Sequence, residues 1–157
     1  MFTIKRLNHA VLYVRDAQRS HQFYRDVMGF QVVESMGDQA VFLRANGSEN
    51  HHDLGLFSIG NNAPPPTRGQ QVGLYHLAWE VADIQDLARA RETLLEAGAL
   101  SGESDHGNSL SLYGQDPDGN EFEVFWMVPR DEWESRGFGT RRLDLEGELA
   151  RRTSTVA

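Results

Sequence analysis

Two histidines, His9 and His76, hold the third place of two similar strings, LNHAVLYV (7–14) and LYHLAWEV (74–81). An imidazole can bind a transition metal, move a proton near neutrality, or sit satisfied in a core. One histidine in a strand says little, whereas two at matching places of a repeated string mark a pair that a duplicated fold would bring to one cavity. A carboxylate joins them as a candidate. In DPDGNEFEVFW (116–126), strand alternation sets Glu121, Glu123 and Phe125 on one face and Phe122, Val124 and Trp126 on the other. Glu123 therefore lies within an apolar run, where an unpaired carboxylate is costly and a bound cation removes the cost.

A second group of residues has acid-base character. The stretch SENHHDLGLFSIG (48–60) opens a strand-like run with adjacent histidines. Alternation points His51 and His52 to opposite faces, with His52 on the face of Leu54 and His51 toward water. His52 is the candidate for proton transfer; it also reads as a surface histidine at a strand entrance. Tyr113 lies ten residues before Glu123 in SLSLYGQDPDG, and reads either as an active-site phenol or as a core aromatic with its hydroxyl at the rim. His106, in DHGNS, is a candidate substrate contact or a solvated turn residue. His21 lies early in a helix and receives no role.

The elements that must position these residues also repeat. The aspartates Asp16 and Asp83 follow the two histidine strands at the same interval, and each precedes a helical pattern. The first helix places Phe23, Val27 and Met28 at helix spacing and stops at Gly29. The second places Ile84, Leu87, Leu94 and Leu95, and stops at Gly98. Three strand-like runs follow each helix: FQVVESM, QAVFLRA and HDLGLFSI, then ALSGESD, SLSLYGQ and EFEVFWMV. The order strand, helix, strand, strand, strand thus occurs twice, in modules at about 3–59 and 72–128. The Pro-rich segment 60–71 reads as a linker. Residues 1–130 are expected to form one domain, followed by a charged tail, 131–157, in which Leu143, Leu145 and Leu149 suggest a short helix.

Composition narrows the function classes. The formal net charge of −8 and the lack of a basic stripe argue against nucleic acid as a partner. Zero cysteines exclude disulfides, thiolate metal sites and a thiol nucleophile, so any metal sits on histidine and carboxylate. No apolar run approaches bilayer length and the first residues read as a strand, so no membrane partner is expected and a cytoplasmic location is the default.

The duplicated module, the two histidine strands and the DPDGNEFEVFW ending together resemble the vicinal oxygen chelate superfamily, which holds extradiol catechol dioxygenases, glyoxalase I, and fosfomycin and bleomycin resistance proteins. The resemblance covers about residues 3–128. It implies an α+β fold of two tandem βαβββ modules whose curved mixed sheet encloses a cavity. It also implies that His9, His76 and Glu123 are the ligands of one divalent metal. Two imidazoles and a carboxylate are also the donor set of non-haem Fe(II) oxygenases, so Fe(II) is the expected metal, with Mn(II), Co(II), Ni(II) and Zn(II) as alternatives.

Within the superfamily, the position matching Glu123 in the first module is Leu54, or Gly55 if the register slips by one, and neither binds metal. This departs from the glyoxalase I pattern, which has a fourth protein ligand there. HDLGLF instead resembles the extradiol dioxygenase strand that carries an acid-base histidine, and Tyr113 matches the spacing of the active-site tyrosine of those enzymes. The expected function is cleavage of a catecholic substrate with O2, with His52 and Tyr113 catalytic, His106 at the substrate, and a homodimer as the assembly. Two other readings stand beside it: a metal-dependent lyase, transferase or isomerase on the same ligands, and a ligand-binding protein of the bleomycin resistance kind.

Overall fold

A computed structural model describes residues 1–67, 69–70 and 72–154. Arg68 and Gln71 of the expected linker and residues 155–157 of the tail lie outside the described residues. The chain divides into two units, residues 1–66 with 116–119, and residues 67–115 with 120–157.

In the first unit, β1 (Ala10–Val14) leads into α1 (Ala17–Asp26), followed by β2 (Gln31–Ser35), β3 (Ala40–Arg44) and β4 (Leu54–Ser58). Asp16 starts the helix, because its carboxylate accepts the otherwise unpaired N–H groups of Gln18 and Arg19. Gly29, at φ 72, turns the chain out of it as expected. The buried stripe differs from the expected one. Ala17, Ser20 and Tyr24 face the sheet, whereas Phe23, Val27 and Met28 are only half-buried. Tyr24 wins that place because its hydroxyl finds a buried acceptor, Asp116 Oδ2 at 3.2 Å.

The second unit repeats the plan with β5 (His76–Glu80), α2 (Ile84–Glu96), β6 (Leu100–Asp105), β7 (Ser109–Gln115) and β8 (Glu121–Met127). Asp83 caps α2 through the Asp86 N–H, and Gly98 at φ 64 ends it. Of the expected stripe, Ile84, Leu87 and Leu94 are buried and Leu95 is exposed.

The two sheets share one strand order, β1-β4-β3-β2 and β5-β8-β7-β6. The histidine strand pairs parallel with the last strand of its module, and the remaining pairs are antiparallel. The α+β, vicinal oxygen chelate type of architecture is thus present, built as two separate four-stranded mixed sheets and not as one continuous sheet. Each ladder also carries an irregularity at the same place: the register shifts between Val32 and Glu34 in β2, and between Leu100 and Gly102 in β6.

Each sheet buries one face beneath its helix. Leu12, Val14, Val41, Leu43, Leu54 and Leu56 form that layer in the first unit; Leu110, Leu112, Phe122 and Val124 form it in the second. At roughly 1.5–3 kcal/mol per fully buried large apolar side chain, these layers hold the sheets against their helices. The opposite face is the more open one, and Val11 and Tyr13 of β1 stand exposed on it.

The tail belongs to the second unit. After a 3-10 turn at Arg130–Glu132 come α3 (Trp133–Arg136) and α4 (Leu145–Ser154). The expected short helix is therefore present, with Leu143 and Leu145 buried.

Candidate active site

His76 opens β5 and pairs with Glu121, which places Glu123 opposite Ala78 on one side and opposite Tyr113 on the other. Because Phe122 and Val124 take the buried face, alternation turns Glu123 to the open face, as expected. There His76 Nε2 lies 3.2 Å from Glu123 Oε2, with the side chains 25% and 13% exposed. His76 Nδ1 is buried without a hydrogen-bond partner, and Glu121 Oε1 stands 3.8 Å from it. The Tyr113 hydroxyl donates to Glu123 Oε1 at 3.5 Å and lies 2.7 Å from His106 Nε2. Burial first, and then the charge of Glu123, raises the Tyr113 pKa, so the phenol keeps its proton. His106 Nδ1 is in turn 3.3 Å from Thr140 Oγ1. Five side chains of the second unit, from His76 to Thr140, thus form one polar chain.

Thr140 was not legible as a site residue. It sits in the charged tail, and no motif there announces it.

In the first unit His9 precedes β1 and is exposed, with Nδ1 2.9 Å from Asn8 Oδ1. The His52 ring lies 4.6 Å from that of His9 and meets Phe42 edge-on at 5.1 Å. His52 therefore stands on the face of Phe42 and Gly55, not on the buried face of Leu54. The expected opposition of His51 and His52 is also absent: their Nδ1 atoms are 3.1 Å apart. The reason is that β4 begins only at Leu54. Asp53, which accepts from Ala45 N, Ser48 Oγ and Asn50 Nδ2, bends 45–53 into a turn where alternation does not apply. Burial, and then the neighbouring His9 and His51, lowers the His52 pKa.

The register also settles which residue matches Glu123. Glu123 pairs with Ala78, two residues after His76, and Gly55 pairs with Val11, two residues after His9. Gly55 is therefore the equivalent, and Leu54 corresponds to the core residue Phe122. Neither carries a ligand atom in its side chain.

The second unit brings His76 and Glu123 together, while His9 belongs to the first. No group of three histidine, aspartate or glutamate side chains close enough to hold a metal occurs among the described residues. The pair itself suits a divalent cation. Two donors at about 2.1 Å from one ion at a right angle stand about 3 Å apart, close to the separation of His76 and Glu123. An imidazole and a carboxylate are also the donors that iron, manganese and zinc accept.

The profile of the Glyoxalase/Bleomycin resistance protein/Dioxygenase superfamily matches residues 6–124. The chain is 35% identical over 148 residues to a catechol-2,3-dioxygenase of Bacillus subtilis, covering 91% of this chain and 50% of that protein. It is 27% identical over 131 residues to a manganese-dependent 2,3-dihydroxybiphenyl 1,2-dioxygenase of Geobacillus genomosp. 3, covering 81% and 38%. It thus spans half or less of each of these relatives. Among solved structures, a glyoxylase/bleomycin resistance protein/dioxygenase domain from Frankia superposes with a TM-score of 0.67 at 21% identity, covering 80% of this chain and 100% of that one. No helix among the described residues is long and apolar enough to cross a membrane. With a family profile spanning most of its length and the same fold in a solved relative, the chain belongs to the glyoxalase/bleomycin resistance protein/dioxygenase superfamily.

Proposed function

We propose that the protein is a metal-dependent oxidoreductase of the extradiol dioxygenase type, which opens the ring of a catecholic substrate with O2. The observation that carries this reading is the contiguous chain His76, Glu123, Tyr113, His106, in which a candidate ligand pair is wired directly to a protonated phenol. Simple sequestration of a ligand needs no such wiring. The dioxygenase names of the two relatives support the same branch.

His76 and Glu123 would hold the metal, together with His9, which enters as the counterpart of His76 in the repeat. Fe(II) suits this donor set best, and the manganese-dependent relative makes Mn(II) the alternative. When bound, the ion supplies Lewis acidity and open positions for a diol and dioxygen.

The remaining work falls to side chains. Tyr113, kept protonated, donates a hydrogen bond to a substrate oxygen. His106 contacts the substrate from the loop beside it. His52 takes a proton from a substrate hydroxyl and returns one later; an imidazole serves both steps because its pKa lies near neutrality. The protein would act as a homodimer.

The test is metal analysis of anaerobically purified protein, followed by oxygen uptake with a panel of catechols. The reading expects one iron or manganese per chain and a ring-opened product that has gained both atoms of labelled O2. Tight metal binding with no oxygen uptake would move the protein to the lyase, transferase or isomerase members of the superfamily. No metal at all would favour a binding protein.

A further inference from the structure

The residues matched by the family profile end at 124, yet the loop that carries His106 is held by the tail that follows. His106 lies in the connection between β6 and β7, where its N–H donates to Ser109 O at 2.9 Å. Asp105 N donates to Arg141 O at 2.9 Å, and Arg141 N donates back to Asp105 O at 2.8 Å, a two-bond bridge between β6 and the tail. The crossing is so close that a Cβ on Gly107, which has φ +85, would lie 1.9 Å from Gly137 O. Residues 136–141 thus form a strap over the loop.

Arg136 fastens the strap. Its Nε donates to Gly107 O at 2.9 Å, its Nη2 donates to Asp105 Oδ2 at 3.2 Å, and its Nη1 pairs with Glu148 Oε1 of α4 at 2.5 Å. Both chain neighbours of His106 are therefore bonded to a single side chain. A guanidinium carries only donors and stays charged at any working pH, and a carbonyl oxygen only accepts, so the direction of each bond is fixed. The Arg136 and Glu148 side chains are 15% and 5% exposed, so the group that grips the loop is itself anchored to α4 out of water. Asp105 adds a bond of its own, accepting from Gly107 N through Oδ1 at 2.7 Å.

These bonds matter at the site because the imidazole hangs between the two anchored residues. Its Nε2 lies 2.7 Å from the Tyr113 hydroxyl, a separation that a shift of the loop by about 1 Å would carry beyond hydrogen-bond reach. Tyr113 is fixed by the regular pairing of β7 with β8, whereas His106 lies outside both strands.

We propose that Arg136 is a positioning residue: from the tail it fixes both chain neighbours of His106 and so sets the imidazole against Tyr113. Lysine cannot stand in for it, because an ammonium on a flexible stem lacks the planar fork that serves Gly107, Asp105 and Glu148 at once. The effect on turnover rests on the extradiol reading, in which His106 contacts the substrate; the placement of the ring does not.

The test reads ring and turnover separately. The His106 and His76 rings stand 6.4 and 6.0 Å from the Tyr113 ring, so both should give nuclear Overhauser contacts with it in the full-length, metal-free protein. Arg136→Lys, which keeps the charge beside Glu148, should weaken the His106–Tyr113 contacts and leave the His76–Tyr113 contacts intact. Arg142→Lys, at an exposed position nearby, should change neither. With metal and an active catechol, Arg136→Lys should raise KM about 10-fold with kcat little changed, short of the roughly 10²-fold cost of a full 1 Å misplacement. His106–Tyr113 contacts of wild-type strength in Arg136→Lys would overturn the proposal, because the loop then holds itself. Equal loss of both sets of contacts would overturn it too, since Arg136 would then serve the fold at large, and so would an unchanged KM in an active Arg136→Lys protein. Selective loss of the His106 contacts, without oxygen uptake by wild type or variant, would keep Arg136 as the positioning residue and remove only the dioxygenase reading.

Discussion

Glu123 and Gly55 hold the same place in the two modules, one opposite Ala78 and the other opposite Val11, each two residues beyond the paired histidine. The duplicated unit therefore carries one carboxylate and, at its counterpart, no side chain. A Cβ on Gly55 would touch Phe42 and Val11 at 3.5 Å, an ordinary contact.

Metal content follows from this asymmetry. Glu123→Gln keeps the shape of the side chain but loses its charge, and should reduce bound metal from one equivalent to near zero while the metal-free protein melts at a similar temperature. Gly55→Ala should retain the full equivalent. Elemental analysis of the two purified variants decides; equal occupancy in both would remove Glu123 from the ligand set.

His52 and His51 make a graded pair. His52→Ala should lower turnover by a factor on the order of 10² to 10⁴, as for a lost general acid-base group, with metal content retained. His51→Ala should have a smaller effect, though not none, since its Nδ1 is 3.1 Å from that of His52. Steady-state kinetics on one active catechol measures the difference, and equal losses would deny His52 a special part.

Asp118 should matter for stability and not for chemistry. It is almost fully buried and accepts from Arg15 N at 2.8 Å and Arg15 Nη1 at 3.0 Å, and it pairs with Arg19. Asp118→Ala should cost about 2–3 kcal/mol, the loss of charge-assisted hydrogen bonds, in urea unfolding of the metal-free protein. A change within error of zero would show that Arg15 and its backbone N–H are satisfied without it.

The strap should loosen in acid. Burial alone would push the Asp105 carboxyl up, but the Gly107 N–H and the Arg136 and Arg141 cations outweigh it and hold the group below the usual carboxylate range. A carboxyl depressed in the folded state lends stability above its unfolded pKa, about 4, and that stability drains away as pH falls through the folded value. The advantage of wild type over Asp105→Asn should be complete at about pH 6 and vanish in strong acid. Thermal melts of both proteins across that range test it, and a difference independent of pH would mean that the charge contributes nothing.

What the sequence disclosed and what it withheld divide along a physical line. Asp16, Gly29, Asp83 and Gly98 act on the residues beside them, so helix boundaries were legible from local chemistry. The alternation of Phe122, Glu123 and Val124 was legible because β8 is regular from end to end. Alternation misled at His51 and His52, since the Asp53 turn that displaces them depends on hydrogen bonds to Ala45, Ser48 and Asn50 that no periodicity reveals. Thr140 was hidden for a similar reason: its contact with His106 exists only because the tail returns to pair with Asp105.

The matched irregularities in β2 and β6 bear on how the protein behaves in a concentrated solution. Both strands are the outermost of their sheets, with backbone groups along one side that could template a neighbouring chain. An extra residue at Val32–Glu34 and at Leu100–Gly102 twists each edge out of the flat geometry that stacking requires. Each open sheet has its other edge at β1 or β5, so the irregularity protects one edge of each sheet, and the duplication has carried that device along with the fold.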